Sequence, residues 1–510
     1  MNLLEAAAQD PRLPPVAGPC AMVLFGASGN LAHKKVLPGL YDLANRGLLP
    51  ANFALIGVAR RSWNDADLRR EAHAAVASGA RTPFRQQVWE DFAARLFYVP
   101  GNVHTKATFA NLKDALAVVD ADQGTQGRRL FYLAVPPDRT EKTVRRLITA
   151  GLAGPEASSP QARLVVERPC GFDGASAKRL DKLIHRGFPD EAVFRMDPYM
   201  GNELVRAFVT VRFTNRLLEA MWNRQHVSHV QITMGEDQGI GTRVGYYDQV
   251  GALRDVMAGH LLQFLALTTM EAPTTLAAPA IRAARLAALR QVSLAGPVDQ
   301  CAARGQFAAG WQGNYPVKGY CEIPAVPAGS TTETYAALKL SVDTDRWRGV
   351  PFYLRTGKRL SRRITEVALG LKPTPWLIDQ TKGRTEASPV LPNELVVRIR
   401  PDSAIALRIN TKAPSTQTEI RPLTLDYSHG YTFAESLPEG FEQELFDALV
   451  GVDPYLQSSA EAGETWRIVD PVLQAWGNSD QVPEPYAAGT WGPASANALP
   501  AADGFAWRRP

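Results

Sequence analysis

The sequence predicts an α/β domain built on a doubly wound parallel sheet, followed by an α+β domain whose mainly antiparallel sheet packs on helices. Three observations predict it. Over the first two hundred residues, short apolar runs alternate with amphipathic stretches. The first of those runs leads straight into a glycine-bearing turn, GASGNLAHKK. Beyond about residue 200 the pattern changes to one long apolar-periodic segment and then a series of alternating strands.

The candidate strands of the first part are CAMVLF (20–25), FALIGVA (53–59), LFYVPG (96–101), RLFYLAVP (129–136), ARLVVERP (162–169) and AVFRMD (192–197). Helical patterns separate them, among them DRTEKTVRRLITAGL, where Asp138 after two prolines is the predicted N-cap. In the second part, GALRDVMAGHLLQFLALTTM predicts a helix. TYAALKLSV, VPFYLRT, ITEVALGLK, ELVVRIR and AIALRIN predict strands separated by turn residues. The tail, from LFDALVG through ETWRIVDPVLQAW, returns to helix before a Gly/Pro/Ala-rich end. These patterns divide the chain into domains over 1–197 and 198–510.

With 510 residues, 45% of them hydrophobic, there is material for two cores. A net charge of +5 from 56 basic and 51 acidic residues, with no Lys/Arg block, gives no footprint for nucleic acid or an anionic membrane. Cys20, Cys170, Cys301 and Cys321 never fall in C-x-x-C spacing, so neither a zinc site nor a redox pair is predicted, and a reducing compartment fits. The stretch MNLLEAAAQDPRLPPVAG lacks the basic and apolar regions of a secretory signal, and no apolar run suggests a membrane helix. The expectation is a cytoplasmic protein.

In GASGNLAHKK, Gly26, Gly29 and the small Ala32 form G-x-x-G-x-x-A, a weaker form of the dinucleotide fingerprint, with Ser28, Asn30 and Leu31 completing the turn. Glycines let the backbone approach a pyrophosphate, and the following helix offers its unpaired N–H groups to the anion. On the first strand of an alternating region this is a Rossmann-type arrangement. A site preferring NAD needs an acidic group at the end of the second strand, yet that strand ends GVARRS. Arg60, with Arg61 beside it, suits a 2′-phosphate, so the expected cofactor is NADP.

His260 falls within the apolar stripe of Leu253, Val256, Met257, Leu261 and Phe264. By pattern alone it is a core histidine. Paired with a carboxylate, it is also what proton abstraction from a hydroxyl requires: the base accepts the proton while the carboxylate fixes the tautomer. Asp197, in RMDPYMGNE at the end of a parallel strand, is the candidate partner, with a helix N-cap as its other reading.

At this point the chain resembles the glucose-6-phosphate dehydrogenase family, almost from end to end. The similar blocks are FGASGNLAHKKVLPGLYDL, GVARRSW, FYLAVPP, VVERPCGFD, RMDPYMGNE, WNRQHVSHVQITMGED, GYYDQVGALRDVMAGHLLQ, VPFYLRTGKRL and AAGTWGPASANAL. The resemblance implies NADP use, oxidation of the sugar at C1 to a lactone without a metal, and a homodimer or homotetramer. It puts His260 on the catalytic base and Asp197 on the carboxylate that orients it. Glu236, Asp255, Lys358 and Arg363 fall at or near sugar-contacting positions, and Tyr199 on a neighbour of the phosphate.

Three departures stand out. Where the family reads R-I-D-H-Y-L-G-K-E, this chain has Pro198 for the histidine and Asn202 for the lysine, both of which hold the 6-phosphate. The lysine of E-K-P, between sugar and cofactor, is Arg168. Losing two charge-assisted bonds costs about 3–6 kcal/mol unless something replaces them. Arg206, four residues after Asn202 in an expected helix, is the candidate replacement. Two substrate readings follow: glucose 6-phosphate with compensation, or a hexose without the 6-phosphate. A non-catalytic nucleotide-binding relative is the third possibility, and the joint presence of His260 and Asp197 weighs against it.

Overall fold

The structure, a computed structural model, describes residues 15–154, 162–241, 243–374, 391–414, 420–428, 438–452 and 455–510. Of the amino-terminal stretch MNLLEAAAQDPRLPPVAG, residues 1–14 lie outside the described residues. The chain divides into two units. The first comprises Met1–Asn202, Thr275–Arg282 and Pro438–Ala462, and the second Glu203–Thr274, Ala283–Leu437 and Gly463–Pro510.

In the first unit, β1 (Cys20–Phe25), β2 (Phe53–Ala59), β3 (Leu96–Pro100), β4 (Arg129–Leu133), β5 (Ala162–Val166) and β6 (Val193–Arg195) form one sheet in the order β3-β2-β1-β4-β5-β6. Every pairing in it is parallel. All residues of β1 and β2 are buried, which is why both strands read as unbroken apolar runs. The strand order reverses between β1 and β4, and ligands of such sheets bind beyond the carboxyl ends of the strands at that point. The helix Gly440–Val450 belongs to this unit: Phe441, Leu445 and Leu449 share a core with Leu40 and Tyr41. In the helix Pro137–Thr149 the N-cap is Pro136, not Asp138. Proline's fixed φ suits the first helical position, which moves Asp138 into the first turn, facing the positive end of the dipole.

The second unit holds a ten-stranded sheet made of β7 (Val227–Gly235), β8 (Val292–Leu294), β9 (Ala302–Ala308) and seven later strands, and a separate hairpin of β10 (Gly310–Gln312) and β11 (Tyr315–Val317). The later strands are β12 (Tyr335–Val342), β13 (Phe352–Gly357), β14 (Ile364–Leu371), β15 (Glu394–Arg400), β16 (Ala404–Lys412), β17 (Ile420–Ser428) and β18 (Glu484–Ala487). Their order is β17-β16-β15-β14-β7-β13-β12-β9-β18, with β8 on β12. Most pairings are antiparallel, but β7 runs parallel to β13 and β18 parallel to β9.

The long apolar helix runs from Val244 to Thr269. It breaks at Gly251 (φ 70°, ψ 176°) and widens into i→i+5 turns from Leu253 to Leu261. By length and composition it could cross a membrane, contrary to the sequence expectation that no run is apolar enough. Within its most apolar window 83% of the residues are buried inside the protein, so its apolar surface is core surface.

Candidate active site

Beyond the carboxyl end of β1 the chain turns at Gly26, with φ +84°. A Cβ there would lie 2.2 Å from the Ala134 carbonyl oxygen, and one on Gly29 would lie 3.0 Å from that of Gly26. The Gly26 N–H donates to Val58 (2.8 Å) and the Gly29 N–H to Gly26 (2.8 Å), which ties the turn to the end of β2. Bare backbone is thus held at the start of a helix, the cradle a pyrophosphate needs. Ser28, Gly29 and Leu31 are half-buried in it and Asn30 is exposed. Arg60 and Arg61 follow β2 directly, both exposed. The Tyr98 hydroxyl sits 3.0 Å from the carbonyl oxygen of Ala59 and 2.8 Å from that of Arg61, while the Arg61 guanidinium lies 5.3 Å from the Trp63 ring centre. Two cations at this strand end fit the 2′-phosphate of NADP.

Asp197 lies just past the carboxyl end of β6 and is buried. Arg168 Nη1 donates to its Oδ2 at 2.9 Å, and the Tyr199 N–H donates to its Oδ1 at 3.2 Å. Its own backbone N–H donates to Oε2 of the buried Glu444 at 2.6 Å. The contact to Tyr199 closes a turn over 197–200; the next helix begins only at Glu203, so Asp197 is not its N-cap and Asn202 stands before the helix rather than in it. Glu444 reaches this turn because glycines allow it. A Cβ on Gly440 would lie 1.9 Å from the Pro198 carbonyl oxygen, and one on Gly201 would lie 2.0 Å from that of Gly440. Beside Arg168, Glu167 accepts a hydrogen bond from Tyr132, whose ionisation is pushed well up by burial and then by Glu167.

In the second unit, the parallel pair β7 and β13 end in register at Gly235 and Gly357, so the next residues, Glu236 and Lys358, emerge side by side. Their side chains form an ion pair. The Lys358 ammonium also lies 5.4 Å from the ring centre of Tyr247. Tyr247 is buried, and burial, then Asp255, push its ionisation well above the usual tyrosine range. Asp255 accepts from the Tyr246 hydroxyl at 2.9 Å. Together these residues present two carboxylates and an ammonium, the donor and acceptor set that sugar hydroxyls require.

His260 occupies the last widened turn of its helix. Leu253, Val256, Met257, Leu261 and Phe264 are buried, but His260 is only partly so. The reason is geometric: with i→i+5 bonding a residue seven positions on no longer repeats the same face, so His260 leaves the stripe to which α-helical spacing assigned it. Arg206 lies on the helix Glu203–Thr214, and Arg363 is exposed just before β14.

Of the residues singled out in the sequence, Gly26, Ser28, Gly29, Asn30, Leu31, Arg60, Arg168, Asp197, Tyr199 and Asn202 lie in the first unit, and Arg206, Glu236, Asp255, His260, Lys358 and Arg363 in the second. The structure pairs Arg168 with Asp197 and Lys358 with Glu236. Sequence reading missed Glu444 and Tyr246. A signal for Glu444 was present, since Glu442 and Glu444 both fall between the apolar Phe441 and Leu445 of one helix.

Comparison with known proteins adds to this picture. The model of the glucose-6-phosphate dehydrogenase NAD binding domain matches residues 23–207, and that of the glucose-6-phosphate dehydrogenase C-terminal domain matches residues 209–508. Over 502 residues the chain is 46% identical to glucose-6-phosphate 1-dehydrogenase 2 of Mycobacterium tuberculosis, covering 98% of this chain and 97% of that protein. It is 36% identical over 500 residues to glucose-6-phosphate 1-dehydrogenase of Chlamydia pneumoniae, covering 97% of each. A crystal structure of glucose-6-phosphate 1-dehydrogenase from Mycobacterium avium superposes with a TM-score of 0.79 at 32% identity, over 97% of this chain and 99% of that one. A glucose-6-phosphate dehydrogenase in complex with its substrate glucose-6-phosphate superposes with a TM-score of 0.84 at 28% identity, over 98% of this chain and 100% of that one.

Proposed function

The chain belongs to the glucose-6-phosphate dehydrogenase family, and we propose that it oxidises glucose 6-phosphate at C1 to the lactone with NADP. The observation that carries this reading is Asp197 at the carboxyl end of β6, its carboxylate and backbone fixed by Arg168, Tyr199 and Glu444. Such a preset acceptor suits the task of orienting a general base.

In this reading His260 accepts the proton of the C1 hydroxyl, and Asp197 holds the imidazole in the correct tautomer and stabilises its cation. Bound NADP supplies a nicotinamide that takes the hydride from C1, so that the C1–O bond becomes the lactone carbonyl. Glu236, Asp255 and Lys358 hold the sugar hydroxyls, with Arg363 nearby. Gly26, Ser28, Gly29, Asn30 and Leu31 cradle the pyrophosphate, and Arg60 meets the 2′-phosphate. Tyr199, Asn202 and Arg206 serve the 6-phosphate.

One observation favours a second substrate. Pro198 and Asn202 offer no cation, and the guanidinium that replaces the family's lysine is engaged with Asp197. A hexose without the 6-phosphate is therefore the alternative. NADP reduction by purified protein with glucose 6-phosphate against glucose decides between them. A strong preference for glucose 6-phosphate supports the first reading, and equal or better use of glucose overturns it.

We further propose a homodimer or homotetramer. Among the described residues β17 pairs only with β16, and Leu423, Leu425 and Tyr427 on it are 45%, 51% and 37% exposed. An open, apolar sheet edge of this kind is a pairing surface. Sedimentation of the purified chain tests this. The cytoplasmic location remains a proposal from the sequence.

A further inference from the structure

The helix that carries Asp255 and His260 does not start freely. At Gly251 the preceding helix ends and the backbone takes φ +70°, leaving the Ala252 and Leu253 N–H groups without carbonyls one turn back. One short segment, Ser330–Glu333, supplies both sides of the joint. The Ser330 and Thr332 hydroxyls donate to the Asp248 carboxylate (2.5 Å) and carbonyl (2.6 Å), and Tyr320 donates to the same carboxylate at 2.8 Å. Across the break, the Ala252 N–H donates to the Glu333 carbonyl at 3.0 Å and the Leu253 N–H to Glu333 Oε1 at 3.0 Å.

Glu333 is buried, a costly place for a carboxylate unless it has work to do. Its Oε1 stands at the start of the helix, where an acceptor satisfies a backbone N–H that has no carbonyl one turn back. Gly251 makes the approach possible, since a Cβ there would stand 2.3 Å from Glu333 Oε1 and displace it. The contact sits two residues before Asp255 and seven before His260 on a continuous helical run.

We propose that Glu333 is a positioning residue for the reaction: by capping the helix at the Gly251 break it fixes the placement of Asp255 and His260. The proposal rests on the assignment of those two residues in the preceding subsection. Glu333 itself touches no reacting atom. Displacing its carboxylate lets the helix start shift, and misplacement of about 1 Å far from the chemistry costs on the order of a hundredfold in rate.

The test compares Glu333→Asp, Glu333→Gln and Glu333→Ala in the full chain, with kcat and KM for glucose 6-phosphate as readouts and NADP dissociation measured separately. Glu333→Asp keeps the charge but draws the carboxylate back by one methylene from the Leu253 N–H. It should lower kcat by about tenfold or more while leaving NADP affinity within about twofold. Glu333→Gln keeps an acceptor at Oε1 and should restore kcat to within about threefold of the parent. Glu333→Ala should lose at least as much as Asp. Where the Ala variant does not fold, the Asp and Gln pair decides. An Asp variant with parental kcat and KM overturns the proposal, and so does a Gln variant as impaired as Asp. His260→Asn, run in parallel, separates the two layers. Full turnover in that variant overturns the assignment of the base, whereas loss there with an unimpaired Glu333→Asp overturns the role of Glu333 alone.

Discussion

Arg168 Nη1 stands 2.9 Å from Asp197 Oδ2, with the two side chains 5% and 1% exposed. Arg168 occupies the position that the sequence assigned to a cation between sugar and cofactor. In the structure its guanidinium pairs with the carboxylate that we propose orients the base. The two carboxylate oxygens are thus served by different donors, Arg168 on one and the Tyr199 N–H on the other. The side chain is anchored before any base or substrate is considered.

Removing the guanidinium tests this anchoring. Arg168→Leu leaves the buried Asp197 without its guanidinium, and breaking a buried pair costs about 3–5 kcal/mol. Thermal unfolding should show the loss, and Arg168→Lys should recover part of it. An Arg168→Leu variant with the parental Tm contradicts the pairing.

Pro198 and Asn202 define the second prediction. Pro198→His with Asn202→Lys should lower KM for glucose 6-phosphate. Each restored charge-assisted bond contributes about 1.5–3 kcal/mol, or about ten- to a hundredfold in affinity. KM for glucose should not move. Unchanged use of glucose 6-phosphate means that Arg206 or another cation already fills the place.

Gly440 carries the third. Its missing Cβ leaves room for the Pro198 carbonyl oxygen, 1.9 Å from where that atom would be. Gly440→Ala must push the Asp197–Asn202 turn away, at an overpacking cost of about 1–3 kcal/mol. The expected result is a lower Tm together with a lower kcat. A variant equal to the parent in both shows that the turn has slack.

The order of the first sheet was legible because parallel strands buried on both faces announce themselves as apolar runs, and GASGNLAHKK marks the loop after the first of them. The break at Gly251 was not legible. The apolar spacing continues through it, and only the backbone reveals the widened turns that take His260 off the stripe. Nor does any local pattern tell that Phe441 and Leu445 pack with Leu40 and Tyr41, about four hundred residues earlier in the chain. The partners of Asp197 were hidden for the same reason, since Glu444 lies on that distant helix. Residue types at the candidate site could be read along the chain, but who holds whom depends on long-range packing.

Glu442 gives a prediction in pH. Burial, its largest influence, holds its carboxyl above the ordinary value of 4.5, with Arg81 opposing. The folded state therefore binds this proton more tightly than the unfolded chain does. The stability associated with the protonated group is fully present below the ordinary value and is lost as pH rises through the raised one. Glu442→Gln removes that titration while keeping an acceptor for the Glu439 N–H, 3.2 Å from Oε2 in the parent. Its Tm relative to the parent should rise as pH climbs above the ordinary value of 4.5. A difference independent of pH contradicts the raised value.

The most direct measurement is kcat of His260→Asn with glucose 6-phosphate and NADP, taken alongside NADP affinity. Loss of a general base predicts a fall in kcat of about a hundred- to ten-thousandfold with NADP binding preserved. A kcat within about tenfold of the parent contradicts the proposed role of His260.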